Sequence, residues 1–492
     1  MDVVSYRGPG VAGGVSSGLG TAWRKEADSS SKWWFINKGV LEVLSAKADK
    51  PKFISMLPES LIEGHYGFCN DFLWPLMHDL PQYATYSPEN HEHYRTFNKI
   101  IAEQIDVESI GRQEYFIQDY QLCLAPRWLS ALGHKTVLFW HIPWPKSIPD
   151  EFVEPLRELA SGLLGASTLG FHTPEYAENF MAFVSKYLPG CKVNRSSLII
   201  ENSEEQARQY MRNFARAAHK SYVMQQHIHN RSRHGGPTKL LVHPLGIDFE
   251  FWTELRDSCK ESDMDQRLIN ICNSKFILSV DRVDYTKAVL DRLLIVDRFF
   301  ETHPEQVGQV SFVQVCGRSR PGLPAFDRYW HSCRSLLGAV NNRWKVGDWK
   351  PVDWIEHSLS PKDLSYLYSN ADCMLVNPVR DGLNLTAKEF IACQDSQPGV
   401  LLLSPGAGAI HELGDYSLSA APGDREGTVA SIAKSLNMPL RERQHRALKM
   451  KTILVSNQLS HWWTAFSQVT RVPDMHLVAR EEEDEELMRN LG

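Results

Sequence analysis

Residues 276–287 read FILSVDRVDYTK, an apolar run that ends in charged residues. A short, nearly continuous apolar run is typical of a strand buried on both faces of a parallel sheet. Open α/β sheets bind ligands at the carboxyl ends of their strands. Arg282 and Lys287 follow the run, and two fixed cations there could neutralise a departing diphosphate without a metal. The alternative is a surface loop with solvated charges, and under either interpretation we expect Lys287 to be exposed.

The same sequence pattern recurs along the chain. Apolar runs of similar length are followed by a Gly, Pro or polar break and then by a longer helical pattern, such as the amphipathic spacing of Tyr176, Phe180 and Phe183. This alternation predicts the α/β class with doubly wound, mostly parallel sheets. The other predicted strands are Asp2–Ser5, Thr136–Trp140, Ser311–Val315, Cys373–Val376 and Val400–Leu403.

The chain length and the positions of its turn-forming residues predict two domains of similar size. A chain of 492 residues is too long for one small core, and we place the boundary near residue 248, between segments 1–248 and 249–492. Residues 201–236 carry arginines at intervals of four and close on His-Gly-Gly-Pro, which predicts a surface insertion. The acidic run within 480–492 predicts a solvated tail.

Composition narrows the class of protein. Hydrophobic residues make up 43% and charged residues 23%, as in ordinary globular domains. The net charge of −6 argues against a nucleic-acid-coating protein. The N-terminus lacks the pattern of a secretory signal, and no apolar stretch approaches the roughly 18 residues that span a bilayer. The nine cysteines are scattered without a C-x-x-C pair. We therefore expect a soluble cytoplasmic protein with reduced thiols, bound neither to nucleic acid nor to membrane.

A glycine-rich segment follows the first predicted strand. Arg7-Gly8-Pro9-Gly10 and then Gly13-Gly14 precede a helical pattern, a placement that could bring backbone amides and a helix N-terminus close to a phosphate. The alternative is a glycine-lined tight turn. The segment fits neither the dinucleotide fingerprint nor the Walker pattern, which disfavours an oxidoreductase built on Rossmann domains.

Residues 377–389, NPVRDGLNLTAKE, follow another predicted strand and lead into a helix. Asp381, Gly382 and Asn384 fall at the turn, where the amides of the incoming helix point into the cleft. Glu389 lies about two helical turns further on and could accept hydrogen bonds from ribose hydroxyls. It could equally be a salt-bridge partner.

The N-terminal half offers two further candidates, each after a predicted strand. Asp119 and His141 could hydrogen-bond sugar hydroxyls or handle a proton, although a histidine before proline is often structural. His227 and His229 form a His-x-His pair without a visible third ligand, so no metal site is predicted.

Together these segments resemble the trehalose-6-phosphate synthase family, which includes the glucosylglycerol-phosphate synthases. The most specific matches are Ser279–Lys287 and Val379–Glu389. Leu73-Trp74-Pro75, His141-Ile142-Pro143 and Gly170-Phe171-His172-Thr173 support them in the right order. The resemblance implies a GT-B fold, in which two Rossmann-like domains face a central cleft and a last helix, at about residues 458–472, crosses back.

The resemblance also implies substrates and residue roles. A nucleotide-glucose donor, ADP-, UDP- or GDP-glucose, would bind mainly the C-terminal domain and a phosphorylated acceptor mainly the N-terminal one. Transfer would retain the α configuration and need neither metal nor cofactor. On the donor side, Arg282 and Lys287 would hold the diphosphate, Glu389 the ribose and Asp381 the glucose hydroxyls. The remaining donor-side residues would be Gly14, Gly382, Asn384 and Leu385.

On the acceptor side, the resemblance places Asp119 by the acceptor hydroxyl, His141 against the transferred glucose, and Arg7 and Arg320 at the acceptor phosphate. Tyr66 matches the family's phosphate-binding tyrosine if one residue is deleted, and His65 occupies the position otherwise. Trp74 and His172 complete the set. The family's early acceptor-side tryptophan is Trp33 or Trp34, or is absent.

Some acceptor-side positions depart from the family pattern. Gln118-Asp119-Tyr120-Gln121 stands in place of His-Asp-Tyr-His, and Ser5-Tyr6-Arg7 in place of Ser-Asn-Arg. The favoured prediction is a retaining α-glucosyltransferase that converts glucose 6-phosphate to trehalose 6-phosphate. Glycerol 3-phosphate is the alternative acceptor, and a pseudo-glycosyltransferase or a non-catalytic relative are the alternative functions. A homo-oligomer is compatible with the sequence.

Overall fold

The computed structural model describes residues 1–9, 14–111, 113–202 and 236–469. Two sheets organise these residues. The first has ten strands in the order β4-β3-β2-β1-β5-β6-β7-β10-β9-β8, and the second has six in the order β13-β12-β11-β14-β15-β16. Helices connect the parallel strands. The predicted α/β class is confirmed, and the architecture is the GT-B arrangement of two Rossmann-like domains.

The strands of the first sheet are β1 (Asp2–Val4), β2 (Lys32–Asn37), β3 (Val40–Ser45), β4 (Lys52–Met56), β5 (Glu114–Gln118), β6 (Lys135–Trp140), β7 (Thr168–Phe171), β8 (Lys192–Asn194), β9 (Ile199–Glu201) and β10 (Thr238–Val242). The strands of the second sheet are β11 (Lys275–Val283), β12 (Val310–Arg318), β13 (Val352–Ile355), β14 (Cys373–Val376), β15 (Val400–Leu403) and β16 (Leu418–Ser419).

Among the described residues, the α-helices of the N-terminal half are Gly14–Glu26, Glu59–Gly67, Trp74–Met77, Pro88–Val107, Ala125–Ala131, Val153–Leu163 and Pro174–Tyr187. Those of the C-terminal half are Phe249–Ser258, Gln266–Cys272, Val289–Thr302, Pro324–Trp344, Pro361–Asn370, Leu385–Ala392, Ile410–Leu413, Arg425–Leu436, Leu440–Ser456 and Leu459–Val469. A six-residue π-helix, Phe68–Leu73, joins two of the helices. None of the described helices is both long and apolar enough to cross a bilayer.

The second sheet is parallel throughout, whereas the first is mixed. Every residue of β14 and β15 is buried, as their continuous apolar sequences predict. The antiparallel pair β2–β3 was not predicted. It turns through Lys38 and Gly39, both with positive φ, which is the two-residue turn that matches strand twist.

The last described helix, Leu459–Val469, returns to the first sheet. Phe466 stacks on Phe116 at 5.6 Å and meets the edge of Phe139 at 5.0 Å. A Cβ at Gly170 would lie 2.6 Å from the Phe466 ring, so this close packing requires glycine. The first sheet ends at Val242 and the second begins at Lys275, which supports our proposal of a domain boundary near residue 248.

Candidate active site

Residues at the carboxyl edges of the two sheets contact one another. The Tyr176 hydroxyl donates to the backbone carbonyl of Asp381 at 2.9 Å. A Cβ at Gly382 would lie 1.9 Å from the His141 carbonyl oxygen, so only glycine permits this approach. Tyr83 stacks on Tyr285 at 4.4 Å between the two halves. The segments that the sequence singled out therefore meet at one place.

We give the name donor wall to the surface formed by residues 279–287 and 377–389, which the sequence predicts to bind the donor. The two segments are adjacent because β11 and β14 are neighbouring parallel strands. Arg282 does not follow the strand, as the sequence suggests, but lies on β11 itself, which continues to Val283. The Arg282 side chain opens toward solvent, yet crowding by surrounding protein and the nearby Arg320 lower its pKa.

The expectation of an exposed Lys287 is wrong. Its exposed fraction is 9%, and its ammonium forms an ion pair with Asp381. The loop folds inward because the short helix Tyr285–Lys287 is capped by the buried Asp284. Burial by itself raises the pKa of the Asp381 carboxyl, but Lys287 and Asn384 together bring it below its ordinary value. The Asp381 carboxylate therefore stays charged inside the cleft.

The turn before the helix Leu385–Ala392, which we call the donor helix, is built by Asn384. Its φ of 82° is left-handed, a conformation that asparagine tolerates, and its side chain caps the helix by accepting from the Ala387 N–H at 3.1 Å. Its amide donates to Asp381 at 3.0 Å. The N-terminal amides of the donor helix thus lie beside Asp381, where their partial positive charge favours an anion.

Glu389 points from the donor helix toward Tyr368, whose hydroxyl donates to its carboxylate at 3.1 Å. No salt bridge of Glu389 occurs within the described ranges, so the salt-bridge interpretation does not apply there. Burial raises the pKa of this carboxyl to about 7, with Tyr368 opposing the shift. It is an acceptor with spare hydrogen-bonding capacity.

Arg292 was not singled out from the sequence. It lies on the buried face of the helix Val289–Thr302 and is fully inaccessible. Its guanidinium donates to Asn377 at 2.7 Å, to Asp281 at 2.8 Å and to the Lys287 carbonyl at 3.2 Å. One side chain therefore joins both segments of the donor wall. The signal that could have found it is a charged residue on an otherwise apolar helix face.

We give the name acceptor wall to Arg7, Tyr66, Asp119 and Arg320, which the sequence predicts to bind the acceptor. The guanidinium groups of Arg7, Arg282 and Arg320 all lower the pKa of the Tyr66 phenol, although burial raises it overall. The three cations therefore lie near enough to Tyr66 to act on its charge. Such a cluster is suited to an anion with several oxygens.

Arg320 crosses from the second domain to the first. Its guanidinium donates to Asn70 at 2.6 Å and to Asp284 at 2.7 Å, and it lies 4.0 Å from the Trp74 ring. The Trp74 indole N–H also donates to Asp284, at 3.4 Å. Burial alone would raise the pKa of the Asp284 carboxyl, but Arg320 and Arg282 bring it below its ordinary value. Asn70, which the sequence did not indicate, lies in the π-helix Phe68–Leu73, a form often found at functional sites.

The alternative acceptor residues lie in the core. His65 is buried, stacks on Phe97 at 3.8 Å and hydrogen-bonds the Gln121 carbonyl at 3.0 Å. Trp33 and Trp34 are also buried, with their indole N–H groups bound to Ser5 and Asp2. The structure places Tyr66, rather than His65, among the arginines.

Asp119 lies at the end of β5 in a strained conformation, with φ 70° and ψ 176°, a region that glycine dominates. The strain points its carboxylate to the His141 N–H, which donates at 3.1 Å. Burial raises the pKa of Asp119 to about 7, although the backbone hydrogen bonds to its carboxylate and the charge of Arg320 lower it. Strain and desolvation at one carboxyl are features of functional sites.

His141 is buried and its pKa is lowered to about 3 by burial, so the ring is neutral at pH 7. Its Nε2–H donates to the Gln118 Oε1 at 2.8 Å. A neutral, fixed imidazole can hydrogen-bond a sugar but cannot serve as a cationic acid. His172 lies beneath it, buried, with Nδ1 accepting from the Leu245 N–H at 3.3 Å.

The remaining predicted positions are only partly described. Gly14 begins the helix Gly14–Glu26, and residues 10–13 before it lie outside the described ranges. The same holds for His227, His229, most of the predicted insertion and the acidic tail. Within the described part of the chain, no group of three or more His, Cys, Asp or Glu residues is placed to hold a metal ion.

Comparison with known proteins gives consistent matches. The model of glycosyltransferase family 20 matches residues 24–471. A bifunctional trehalose-6-phosphate synthase/phosphatase from Thermoproteus tenax is 33% identical over 413 residues, covering 82% of this chain and 51% of that protein. The chain thus spans about half the length of this relative. A trehalose-6-phosphate synthase from Sinorhizobium fredii is 30% identical over 409 residues, covering 82% of this chain and 81% of that protein.

A solved structure shares the whole architecture. An α,α-trehalose-phosphate synthase (UDP-forming) from Burkholderia xenovorans, in complex with glucose-6-phosphate, superposes with a TM-score of 0.82. The two chains are 26% identical, and the match covers 96% of this chain and 99% of the other. The similarity therefore extends through both domains.

Proposed function

The chain belongs to glycosyltransferase family 20, and we propose that it transfers glucose from UDP-glucose to glucose 6-phosphate, forming trehalose 6-phosphate with retention of the α configuration. The observation that carries the proposal is the cluster of Arg7, Arg282 and Arg320 around Tyr66, opposite a complete donor wall. An acceptor phosphate would pair with Arg7 and Arg320, while Arg282 would pair with the donor diphosphate. The Burkholderia relative, which is UDP-forming and was solved with glucose-6-phosphate, supports both substrates.

In the proposed reaction, the bond between glucose C1 and the diphosphate oxygen breaks, and a bond from the acceptor oxygen to C1 forms. Arg282 and Lys287 stabilise the negative charge that develops on the departing diphosphate. The hydroxyl proton of the acceptor leaves toward the Asp119 carboxylate or the departing phosphate oxygen. Neutral His141 holds the transferred glucose. Glu389 binds the ribose through its free carboxylate oxygen.

Asp381 has a second task in this proposal. In the free protein its carboxylate neutralises Lys287. When the donor binds, the glucose hydroxyls donate hydrogen bonds to Asp381, and the Lys287 ammonium binds the diphosphate instead. Exchange of one anion for another avoids leaving either charge buried and unpaired, which would be costly.

A panel of donors and acceptors tests the proposal. UDP-, ADP- and GDP-glucose are each incubated with glucose 6-phosphate, glycerol 3-phosphate and unphosphorylated glucose, and nucleotide release and product mass are measured. We expect the fastest turnover with UDP-glucose and glucose 6-phosphate, and little with glucose, because the arginine cluster then has no phosphate. Faster turnover with glycerol 3-phosphate would reassign the acceptor. Nucleotide binding without turnover for any pair would favour a non-catalytic relative.

The cytoplasmic location that the sequence predicts remains part of this proposal. It agrees with a sugar phosphate and a nucleotide sugar as substrates. Fractionation of the native source would test it.

A further inference from the structure

The chain crosses between the two sheets twice, at residues 244–247 and 457–459, and the two crossings lie side by side. The Leu459 N–H donates to the Ile247 carbonyl at 3.1 Å, and Ile247 pairs in parallel with Gln458. A Cβ at Gly246 would lie 2.2 Å from the Gln458 carbonyl carbon, so the crossings touch backbone to backbone. We call these two segments the hinge, because the chain passes between the two sheets only here within the described residues.

A buried ion pair holds both crossings. The Lys388 ammonium lies 2.5 Å from the Glu412 carboxylate and donates to the Leu245 carbonyl at 2.9 Å. The other Glu412 oxygen accepts from the Asn457 side chain at 2.7 Å. The Lys388 side chain is completely inaccessible, and burial lowers its pKa although Glu412 opposes the shift. Lys388 belongs to the donor helix and directly precedes Glu389.

The same hinge residue is held from the other domain. The Leu245 N–H donates to His172, and the His172 ring also hydrogen-bonds the His141 backbone. Leu245 therefore receives one bond from the donor helix through its carbonyl and gives one toward the His141 loop through its amide. The connection ends at the place where His141 meets Gly382.

We infer that Lys388, Glu412 and His172 are positioning residues that form a hinge clasp, which sets the donor helix and the His141 loop in register for transfer. Net stability does not explain the pair, because a buried ion pair is commonly no better for folding than two apolar residues. The pair instead fixes the position of the hinge, since its hydrogen bonds reach specific atoms of Leu245 and Asn457. The inference rests on the proposed function for its kinetic consequence: misplacing reacting groups by about 1 Å can cost about 10²-fold in rate.

Three variants and one control separate positioning from stability. Lys388→Met removes the ammonium and leaves Glu412 unpaired, so we expect a lower melting temperature. Lys388→Met combined with Glu412→Leu replaces the pair by apolar side chains and should recover that temperature. His172→Phe keeps an aromatic ring but removes the hydrogen bonds to the Leu245 N–H and the His141 backbone. Lys449→Met changes an exposed lysine of the helix Leu440–Ser456 and serves as the control.

The readouts are the melting temperature, kcat for transfer, the Kd for UDP, and hydrogen exchange of peptides spanning 139–145 and 243–248. For the double variant we expect a near-wild-type melting temperature, a UDP Kd within about threefold, kcat lowered about 10- to 100-fold, and faster exchange in both peptides. Recovery of kcat together with the melting temperature would overturn the inference. If the double variant does not fold, His172→Phe decides: a lowered kcat supports the clasp and an unchanged kcat refutes it.

Failure of the proposed function would be recognised separately. If the wild-type protein transfers glucose in none of the donor and acceptor pairs, the exchange measurement still applies to the ligand-free protein. Faster exchange of the 139–145 peptide in Lys388→Met, but not in Lys449→Met, would support coupling from the donor helix to the His141 loop. Unchanged exchange would refute it.

Discussion

The donor wall and the acceptor wall of the cleft are assembled in different ways. The donor wall comes from two continuous segments, 279–287 and 377–389, at the ends of neighbouring parallel strands. The acceptor wall takes Arg7, Tyr66 and Asp119 from separate elements of the first domain and Arg320 from the second. A wall made of contiguous motifs can be recognised in sequence, whereas a wall made of scattered residues becomes visible only in the fold.

The comparison predicts that substitutions in the two walls change different kinetic parameters. The largest effect is expected at Lys287. Lys287→Gln keeps a hydrogen bond to Asp381 but removes the positive charge that we propose stabilises the leaving diphosphate. We expect kcat to fall about 10²- to 10³-fold with a smaller change in the KM for the donor, as for other losses of transition-state stabilisation. Initial rates over a range of donor concentrations measure both.

Lys287 is buried, so the melting temperature of Lys287→Gln must be measured as a control. A rise in the donor KM with kcat untouched would mean that the cation binds ground state and transition state equally. The role assigned to Lys287 would then be wrong.

Arg320 provides the next largest effect, on the opposite wall. Arg320→Lys keeps the charge but loses the planar fork that bonds Asn70 and Asp284. We expect the KM for glucose 6-phosphate to rise about 10- to 100-fold while the KM for the donor changes little, since charge-assisted hydrogen bonds contribute about 1.5–3 kcal/mol each. An equal rise in both KM values would contradict the separation of the two walls.

The pH dependence of kcat gives a third, roughly tenfold effect. Because burial raises the pKa of Asp119 to about 7, its ionised fraction grows from about a tenth at pH 6 to about nine tenths at pH 8. If the carboxylate accepts the hydrogen bond of the acceptor hydroxyl, kcat at saturating donor should rise over this interval. Asp119→Asn should lose this rise and disturb acceptor use, with donor binding nearly unchanged.

The raised pKa also has a consequence for stability. Ionising Asp119 is less favourable in the folded state than in the unfolded state. The carboxylate therefore lowers the free energy of unfolding increasingly as the pH rises from about 4 to about 7, and by a constant amount above that range. Below about pH 4 both states are protonated and the effect is absent. Asp119→Asn should therefore melt at a higher temperature than the wild type at pH 8, and the difference should vanish toward pH 4. A constant difference across this range would refute the shifted pKa.

The smallest effect is expected at Glu389. Its pKa of about 7 means that the carboxyl is already partly neutral at pH 7. Glu389→Gln should therefore raise the KM for the donor only about threefold and leave kcat unchanged, as expected for uniform binding. Tyr368→Phe is a matched control that removes the hydroxyl bound to this carboxyl. A large fall in kcat for Glu389→Gln would place this residue in the chemical step.

The fold class and most donor-wall residues could be predicted from sequence because buried parallel strands have continuous apolar runs and the motifs follow them directly. Positions that depend on side-chain packing could not. Lys287 was expected to be exposed because loops usually are, but its partner Asp381 is 94 residues away in the chain. Arg292 and Asn70 act through contacts between distant segments, and no local pattern marks such contacts.

The acceptor wall shows the same limit. The choice between His65 and Tyr66 depends on one residue of register, and the π-helix that follows them shifts that register. The hydrophobic periodicity of a single sequence, which has a period of 3.6 residues in helices, does not reveal a π-helix. The structure places the phenol of Tyr66 near the arginines and the ring of His65 in the core.

A crystal structure of the protein with UDP and glucose 6-phosphate bound tests the two-wall account most directly. The account predicts the diphosphate within hydrogen-bond distance of Arg282 and Lys287, and the acceptor phosphate within hydrogen-bond distance of Arg7, Tyr66 and Arg320. An acceptor phosphate bound away from this cluster, or a diphosphate out of reach of Lys287, would contradict it.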